Sequence, residues 1–147
     1  MMKESWMSKR KPNFEVVQQA DIADLVENPH RARILSLTYD PSLARTREML
    51  FAGAGFDVST FHDVTQAIAA CQDMAFDLAV VGHSIPLPER KAFVKELRRV
   101  CATPVLALLR HGEPRLPEAD YLFDSLESPA LLLETVINIL RPGTPQD

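Results

Sequence analysis

The chain contains 147 residues, of which 46% are hydrophobic and 24% charged, and its formal net charge is −4. This composition is typical of a globular protein, and the length favours one domain with a sizeable core. The only basic cluster, Lys9–Lys11, is short, so nucleic-acid binding is not indicated. No apolar stretch approaches the roughly 18–20 residues that cross a bilayer, and the N-terminus lacks the apolar core of a signal peptide. We therefore expect a cytoplasmic protein.

Residues 1–31 differ in composition from the rest of the chain, because they are polar and open with charged side chains. Their apolar residues follow a helical spacing that predicts a broken amphipathic helix, which Asn28-Pro29 ends. These residues are Phe14, Val17, Ile22, Leu25 and Val26. We assign 1–31 to an N-terminal extension, 32–141 to the main domain and 142–147 to a C-terminal tail. The true start is either Met1 or Met7.

From Ala32 onward, predicted strands alternate with predicted helices. The alternation predicts a parallel sheet with right-handed crossovers, and five strands at this length fit the doubly wound, flavodoxin-like order 2-1-3-4-5. The predicted strands are Ile34–Thr38, Asp57–Phe61, Leu78–Val81, Pro104–Leu109 and Tyr121–Phe123. Helix starts are marked by capping signals at Asp40-Pro41, Asp63 and Ser128-Pro129. The inner face of the first helix is predicted to contain Leu43, Thr46, Leu50 and Ala54.

The connection between the fourth and fifth strands is unusually short. Its eleven residues, 110–120, include two prolines and one glycine and show no amphipathic face. We expect the helix between these two strands, which would be the fourth in the alternation, to be lost or reduced to one turn. Its loss would expose apolar sheet surface, and the N-terminal extension is a candidate cover, within one chain or across a homodimer.

The two cysteines, Cys71 and Cys101, lie 30 positions apart on the apolar faces of predicted helices. Neither has a second cysteine or a histidine at metal-ligand spacing. We therefore expect buried free thiols, with a disulfide between them as the alternative.

The residues around the predicted strands resemble those of response-regulator receiver domains, over roughly Ala32–Leu140. The shared features are Asp40-Pro41, the Ala54-Gly55-Phe56 turn, Asp77-Leu78, Pro86, Pro104-Val105 and Ala119–Leu122. The resemblance implies the chemotaxis-type receiver fold and a role in phosphorelay signal transduction through a protein partner.

The resemblance also assigns roles to five positions. In the family, two adjacent acids hold magnesium, an aspartate accepts the phosphoryl group, and a hydroxyl residue and a lysine assist. The corresponding residues here are Thr38, Tyr39, Gly82, Leu109 and Asp124. A small shift in the alignment would make Asp40 a lone acid. Glycine has nothing to phosphorylate, magnesium needs carboxylates, and Asp124 reverses the charge of the lysine.

We therefore predict a degenerate pseudo-receiver that works independently of phosphorylation and is not an enzyme. The alternative is an anion or small-ligand sensor, because ligands of such folds bind at the carboxyl ends of strands. Its candidate residues are Asp40, His83, Arg110 and His111. Other possibilities are a metal held by Asp40, His83 and His111, or simply solvated loops. No nucleotide motif is present, and no Gly-x-Ser-x-Gly pattern surrounds Ser84. We expect a protein partner and no cofactor, metal, nucleic acid or membrane.

Overall fold

The computed structural model describes residues 31–141, and in this range strands alternate with helices as predicted. The strands are β1 (Arg33–Leu37), β2 (Asp57–Phe61), β3 (Leu78–Val81), β4 (Val105–Leu109) and β5 (Tyr121–Asp124). The helices are α1 (Pro41–Gly53), α2 (Val64–Asp73), α3 (Leu87–Val100) and α4 (Pro129–Leu140). Within 31–141, no helix combines the length and apolar character needed to cross a membrane. The predicted extension and tail lie outside the described residues.

The five strands form one parallel sheet in the order β2-β1-β3-β4-β5. In order of appearance this is 2-1-3-4-5, so the predicted topology is confirmed. Leu37 at the end of β1 pairs with Val81 at the end of β3, and Leu109 at the end of β4 pairs with Asp124. The residues that follow these strands therefore lie along one edge of the sheet.

Side-chain caps fix the starts of three helices where the sequence predicts them. The carboxylate of Asp40 accepts hydrogen bonds from the backbone amides of Ser42 and Leu43 at 2.9 and 3.2 Å. Asp63 caps α2 through the amide of Thr65 at 2.9 Å. Ser128 caps α4, with Pro129 following it at the first helical position. Such caps satisfy amides that have no partner within the helix.

The core has two parts, one on each face of the sheet, because side chains alternate along each strand. Beneath α2 and α3, the buried cluster includes Leu35, Leu37, Ala79, Val81, Phe93 and Leu97. Beneath α1 and α4, it includes Ile34, Phe51, Leu78, Leu106, Leu132 and Val136. The central strand β3 is thus buried on both faces, as its uninterrupted apolar sequence predicts.

The predicted inner face of α1 was wrong by about one position. The buried side chains are Ala44, Arg47 and Phe51. Of the predicted set, Leu43 and Leu50 are half-buried, and Thr46 and Ala54 are exposed. The buried face is shifted because Arg47, a charged residue, points toward the sheet and is buried between Ala44 and Phe51.

The β4–β5 connection, residues 110–120, contains no helix, which confirms the prediction for this segment. Leu116 is only 2% exposed and packs into the core beneath α2 and α3. Asp120 anchors the end of the connection, since its carboxylate accepts a hydrogen bond from the backbone amide of Val105 at 2.7 Å. The connection therefore covers part of the sheet itself. The predicted cover by the extension lies outside the described residues.

The expectation of free thiols was wrong, because Cys71 and Cys101 form a disulfide. The end of α2 lies against the end of α3, and the two Cα atoms are 6.5 Å apart. This separation is within the range that a disulfide spans.

Candidate functional site

Gly82 lies at the end of β3, where it is buried and its amide donates a hydrogen bond to the Leu37 carbonyl at 2.8 Å. A Cβ at this position would be 2.9 Å from Nη1 of Arg47. It would also be 3.1 Å from both the Leu37 carbonyl oxygen and Cβ of Thr38. The space that a side chain at position 82 needs is therefore already occupied, chiefly by a guanidinium group.

Arg47 reaches this position from α1, and its side chain is 6% exposed. Its Nη2 lies 3.4 Å from Nδ1 of His83, whereas its buried Nη1 has no hydrogen-bond partner. Burial lowers the pKa of Arg47, and the charge of Asp40 opposes that effect. Among residues 31–141, no carboxylate lies within ion-pair distance of Arg47. In the described part of the chain, this buried positive charge thus has no paired anion.

A second buried arginine, Arg90 of α3, connects two loops at the same edge of the sheet. Its side chain is 1% exposed and forms an ion pair with Glu113 at 2.6 Å. The guanidinium also donates to the carbonyls of His83 and Ile85, at 3.0 and 2.7 Å. Glu113 in turn accepts a hydrogen bond from the amide of Arg110 at 2.8 Å. Arg90 therefore ties the loop after β3 to the β4–β5 connection.

His83 lies between these arginines and is half-buried. Its pKa is lowered first by burial, then by the charges of Arg47, Arg110 and Arg90, with Glu113 acting in the opposite direction. Its carbonyl oxygen also accepts a hydrogen bond from Nε of Arg110 at 3.1 Å. The imidazole is consequently neutral near pH 7.

The polar residues after β1 are bonded to the neighbouring loop and helix. Oγ1 of Thr38 lies 2.7 Å from Oγ of Ser84, which also accepts a hydrogen bond from the amide of Tyr39 at 3.1 Å. The Tyr39 hydroxyl donates to Glu89 of α3 at 2.8 Å. Burial and this hydrogen bond raise the pKa of Tyr39 to about 12. Neither residue supplies a carboxylate.

The four predicted ligand-binding residues do not converge on one point. The carboxylate of Asp40 caps α1, and the side chain of Arg110 bonds the His83 carbonyl. His111 is 77% exposed and lies 3.6 Å from Asp124. Of the four, only His83 faces the buried arginine of α1.

Two of the five family positions lie at the ends of β4 and β5. Leu109 packs against the core beneath α2 and α3. Asp124 accepts a hydrogen bond from the amide of Leu126 at 2.9 Å and so stabilises the following turn. Neither can assist a phosphoryl group in the way that a hydroxyl or an ammonium group does.

The residues at this edge do not fit the magnesium ion that the receiver fold implies. Magnesium requires oxygen ligands that include one or two carboxylates. The acid that follows Thr38 and Tyr39 in the sequence is Asp40, whose carboxylate caps α1, and Gly82 provides none. A cation, Arg47, occupies the space beside it. Across the described range, no group of three or more His, Cys, Asp or Glu side chains is arranged to hold a metal. The suggested site of Asp40, His83 and His111 is therefore not assembled.

Sequence reasoning missed the three residues that dominate the site: Arg47, Arg90 and Glu113. For the two arginines, helical spacing is a sequence signal that could have identified them. Arg47 lies three residues after buried Ala44 and four before buried Phe51, and Arg90 lies three before buried Phe93. An arginine within an apolar stripe predicts a buried charge with a specific role.

Comparison with known proteins gives matches among solved structures. No protein-family model matches the sequence, and no curated protein matches it. The chemotaxis response regulator CheY4 of Vibrio cholerae superposes with a TM-score of 0.66 at 25% identity, over 76% of this chain and 100% of that chain. This chain has the fold of a receiver domain.

Two further structures show the same fold. A two-component response regulator from Clostridium difficile has a TM-score of 0.67 at 15% identity, over 78% of this chain and 100% of that chain. A CheY-like receiver domain from Methanospirillum hungatei has a TM-score of 0.63 at 17% identity, over 73% and 91% of the two chains. The receiver fold inferred from the sequence is thus confirmed.

Proposed function

We propose that this chain is a pseudo-receiver, a regulatory interaction module of two-component signalling that acts through a protein partner without aspartyl phosphorylation. The receiver fold supports the signalling role. The observation that carries the rest is that Arg47 occupies the space above Gly82, where the family has its phosphoacceptor.

The chemistry of phosphoryl transfer supports this proposal. Transfer to an aspartate requires a carboxylate nucleophile and cations placed around the transferred group. Here the position of the nucleophile contains glycine, and the adjacent cation lies where the nucleophile would be. The proposal accordingly assigns no catalytic step to the chain.

The ion pair between Arg90 and Glu113 suggests how the module works without a switch. It holds the loop after β3 and the β4–β5 connection in one arrangement. In the proposal, the surface that these segments form is presented to a protein partner continuously, either a different protein or a second copy of the chain.

Acetyl phosphate and beryllofluoride, each with magnesium, test the proposal. Intact mass spectrometry should detect no phosphoryl adduct, and the amide NMR spectrum should stay unchanged, while a phosphorylatable receiver treated in parallel responds to both. An adduct, or a saturable shift of amides around Gly82, would contradict the proposal.

The alternative function, a sensor of an anion or small ligand, is supported by one observation, the unpaired buried guanidinium of Arg47. The predicted set of Asp40, His83, Arg110 and His111 supports it less well, because three of the four side chains point elsewhere or form other contacts. A thermal-shift screen with small anions tests this alternative.

A further inference from the structure

A cavity of about 180 Å³ lies between α1 and α4, over the carboxyl ends of β4 and β5. Its floor and walls are largely apolar, formed by Leu43, Leu50, Leu108, Phe123 and Leu132. Its polar lining includes Arg47 and His83 on the inner side. Glu127 and Pro129 also line it and are exposed, so the cavity opens to solvent beside the start of α4.

Within residues 31–141, no carboxylate is paired with the guanidinium of Arg47 in this wall. Buried charges in proteins are normally paired, because removal from water is costly without compensation. Nη1 of Arg47 is buried without any partner, and the contact of Nη2 with His83 is 3.4 Å, at the outer limit of a hydrogen bond. The guanidinium therefore has hydrogen-bonding capacity that no group in the described residues takes up.

Charge and size together define the kind of molecule that fits. One buried arginine lines the cavity, the pKa of His83 beside it is lowered by burial and by neighbouring arginine charges, and the exposed carboxylate of Glu127 at the rim disfavours highly charged anions. The apolar lining favours a ligand with an apolar body. A dry apolar cavity of about 150 Å³ in another protein accommodates benzene, so a volume of about 180 Å³ matches a single ring or a short branched chain.

We propose that the cavity between α1 and α4 binds a small monocarboxylate with a compact apolar body, whose carboxylate accepts hydrogen bonds from Arg47. This goes beyond the proposed pseudo-receiver role and gives the sensor alternative a defined site and ligand class. Its test is independent of the phosphorylation test, because the site requires no phosphoryl chemistry. It also differs from the predicted ligand site, because Arg110, His111 and Asp40 do not line the cavity.

Binding of benzoate to the full chain tests the proposal, with neutral benzamide and inorganic phosphate as matched probes at equal ionic strength. In amide NMR titrations to tens of millimolar, benzoate should give saturable shifts at residues around the cavity, such as Arg47, His83 and Ser125. Benzamide and phosphate should each bind at least tenfold more weakly. Equal binding of benzamide and benzoate, phosphate binding as strong as that of benzoate, or no saturable shift would overturn the proposal.

Two variants test the role of Arg47 directly. Arg47→Gln should weaken benzoate binding at least tenfold, because it removes the buried charge. The matched control Arg115→Gln removes an exposed arginine that does not line the cavity and should change affinity less than twofold. Equal effects of the two substitutions would overturn the proposal. If Arg47→Gln fails to fold, the three-probe comparison on the unaltered chain decides the question by itself.

Discussion

Nη1 of Arg47 lies 2.9 Å from the point that a Cβ on Gly82 would occupy. Gly82, after β3, has no side chain, and the guanidinium of Arg47 from α1 fills the space that a side chain there would need. The two residues are therefore complementary in volume. Real Cβ atoms do not approach a non-bonded heavy atom this closely. Substitutions of Arg47 and Gly82 should therefore have non-additive effects on the free energy of unfolding.

A Cβ at position 82 would also lie 3.1 Å from the Leu37 carbonyl oxygen and from Cβ of Thr38, which cannot move as easily as the arginine tip. Gly82→Ala is therefore expected to lower the free energy of unfolding by about 1–3 kcal/mol through overpacking. The cost should shrink in an Arg47→Ala background by roughly 0.5–2 kcal/mol, since directly contacting residues are coupled. Urea unfolding of the four proteins in the double-mutant cycle measures both values.

The control for this cycle is Gly53→Ala, because no atom lies within 4 Å of a Cβ at Gly53. That substitution should leave stability unchanged or slightly raised. Strict additivity of Gly82→Ala and Arg47→Ala would show that the two positions are not matched.

Two Glu–Arg pairs with the same 2.6 Å separation are expected to contribute very differently to stability. Glu113→Gln weakens the partner of Arg90, which is 1% exposed, and should cost about 1–3 kcal/mol in urea unfolding. Glu96→Gln, in the exposed pair with Arg99, should have no measurable effect. Similar losses in both variants would contradict this account of Arg90.

The same pair should contribute to acid sensitivity. The hydrogen bond from Arg90 lowers the pKa of Glu113 below its ordinary 4.5 in the folded state. The contribution of this carboxylate is therefore complete above pH 4.5 and is lost as the pH falls through the lower, folded-state pKa. Melting temperature measured against pH should show a smaller acid slope in Glu113→Gln than in the unaltered protein.

His83 should add a second pH dependence in a different range. Burial, followed by the charges of Arg47, Arg110 and Arg90, lowers its pKa below 6.5 in the folded state. The unfolded chain then binds the proton more readily, so stability declines as the pH falls from 6.5 toward the folded-state pKa.

His83→Gln should flatten this part of the melting profile, and Arg110→Gln should raise the pKa of His83 in an NMR titration by removing one repelling charge. An unchanged pKa of His83 in Arg110→Gln would show that the arginine does not influence the imidazole.

The disulfide between Cys71 and Cys101 joins residues 30 positions apart, and closing a loop of this length is expected to stabilise the fold by about 3–4 kcal/mol. Reduction, or the double substitution of both cysteines by alanine, should lower the urea midpoint accordingly. A thiol assay on the unfolded protein provides the check, since two reactive thiols without added reductant would contradict the pairing.

The sequence predicted the fold well because strand order, helix caps and the missing helix depend on local patterns. The uninterrupted apolar strand Leu78–Val81 and the caps Asp40, Asp63 and Ser128 all have the predicted roles. The site was predicted less well, since it depends on which residues meet across elements. Arg47 and Gly82 are 35 positions apart, and no local pattern indicates their contact.

The prediction for the inner face of α1 failed for a related physical reason. The predicted positions Leu43, Thr46 and Leu50 each lie one residue before a buried position, so the prediction placed Thr46 where the structure buries Arg47. The position of Arg47 is set instead by the space that Gly82 leaves. A glycine at the end of a central buried strand indicates that a side chain from another element fills the space beside it.

The contact between Arg47 and Gly82 also bears on how reversible this site is over evolutionary time. An aspartate introduced at Gly82 by a single mutation would find a counter-ion already in place, and its carboxylate would form an internal ion pair instead of facing an incoming phosphodonor. Under the proposed function, phosphotransfer would require at least a second change in α1, and acids after β1 as well. If the proposed function holds, a single substitution at Gly82 is therefore expected to give an internal ion pair and no phosphorylatable site.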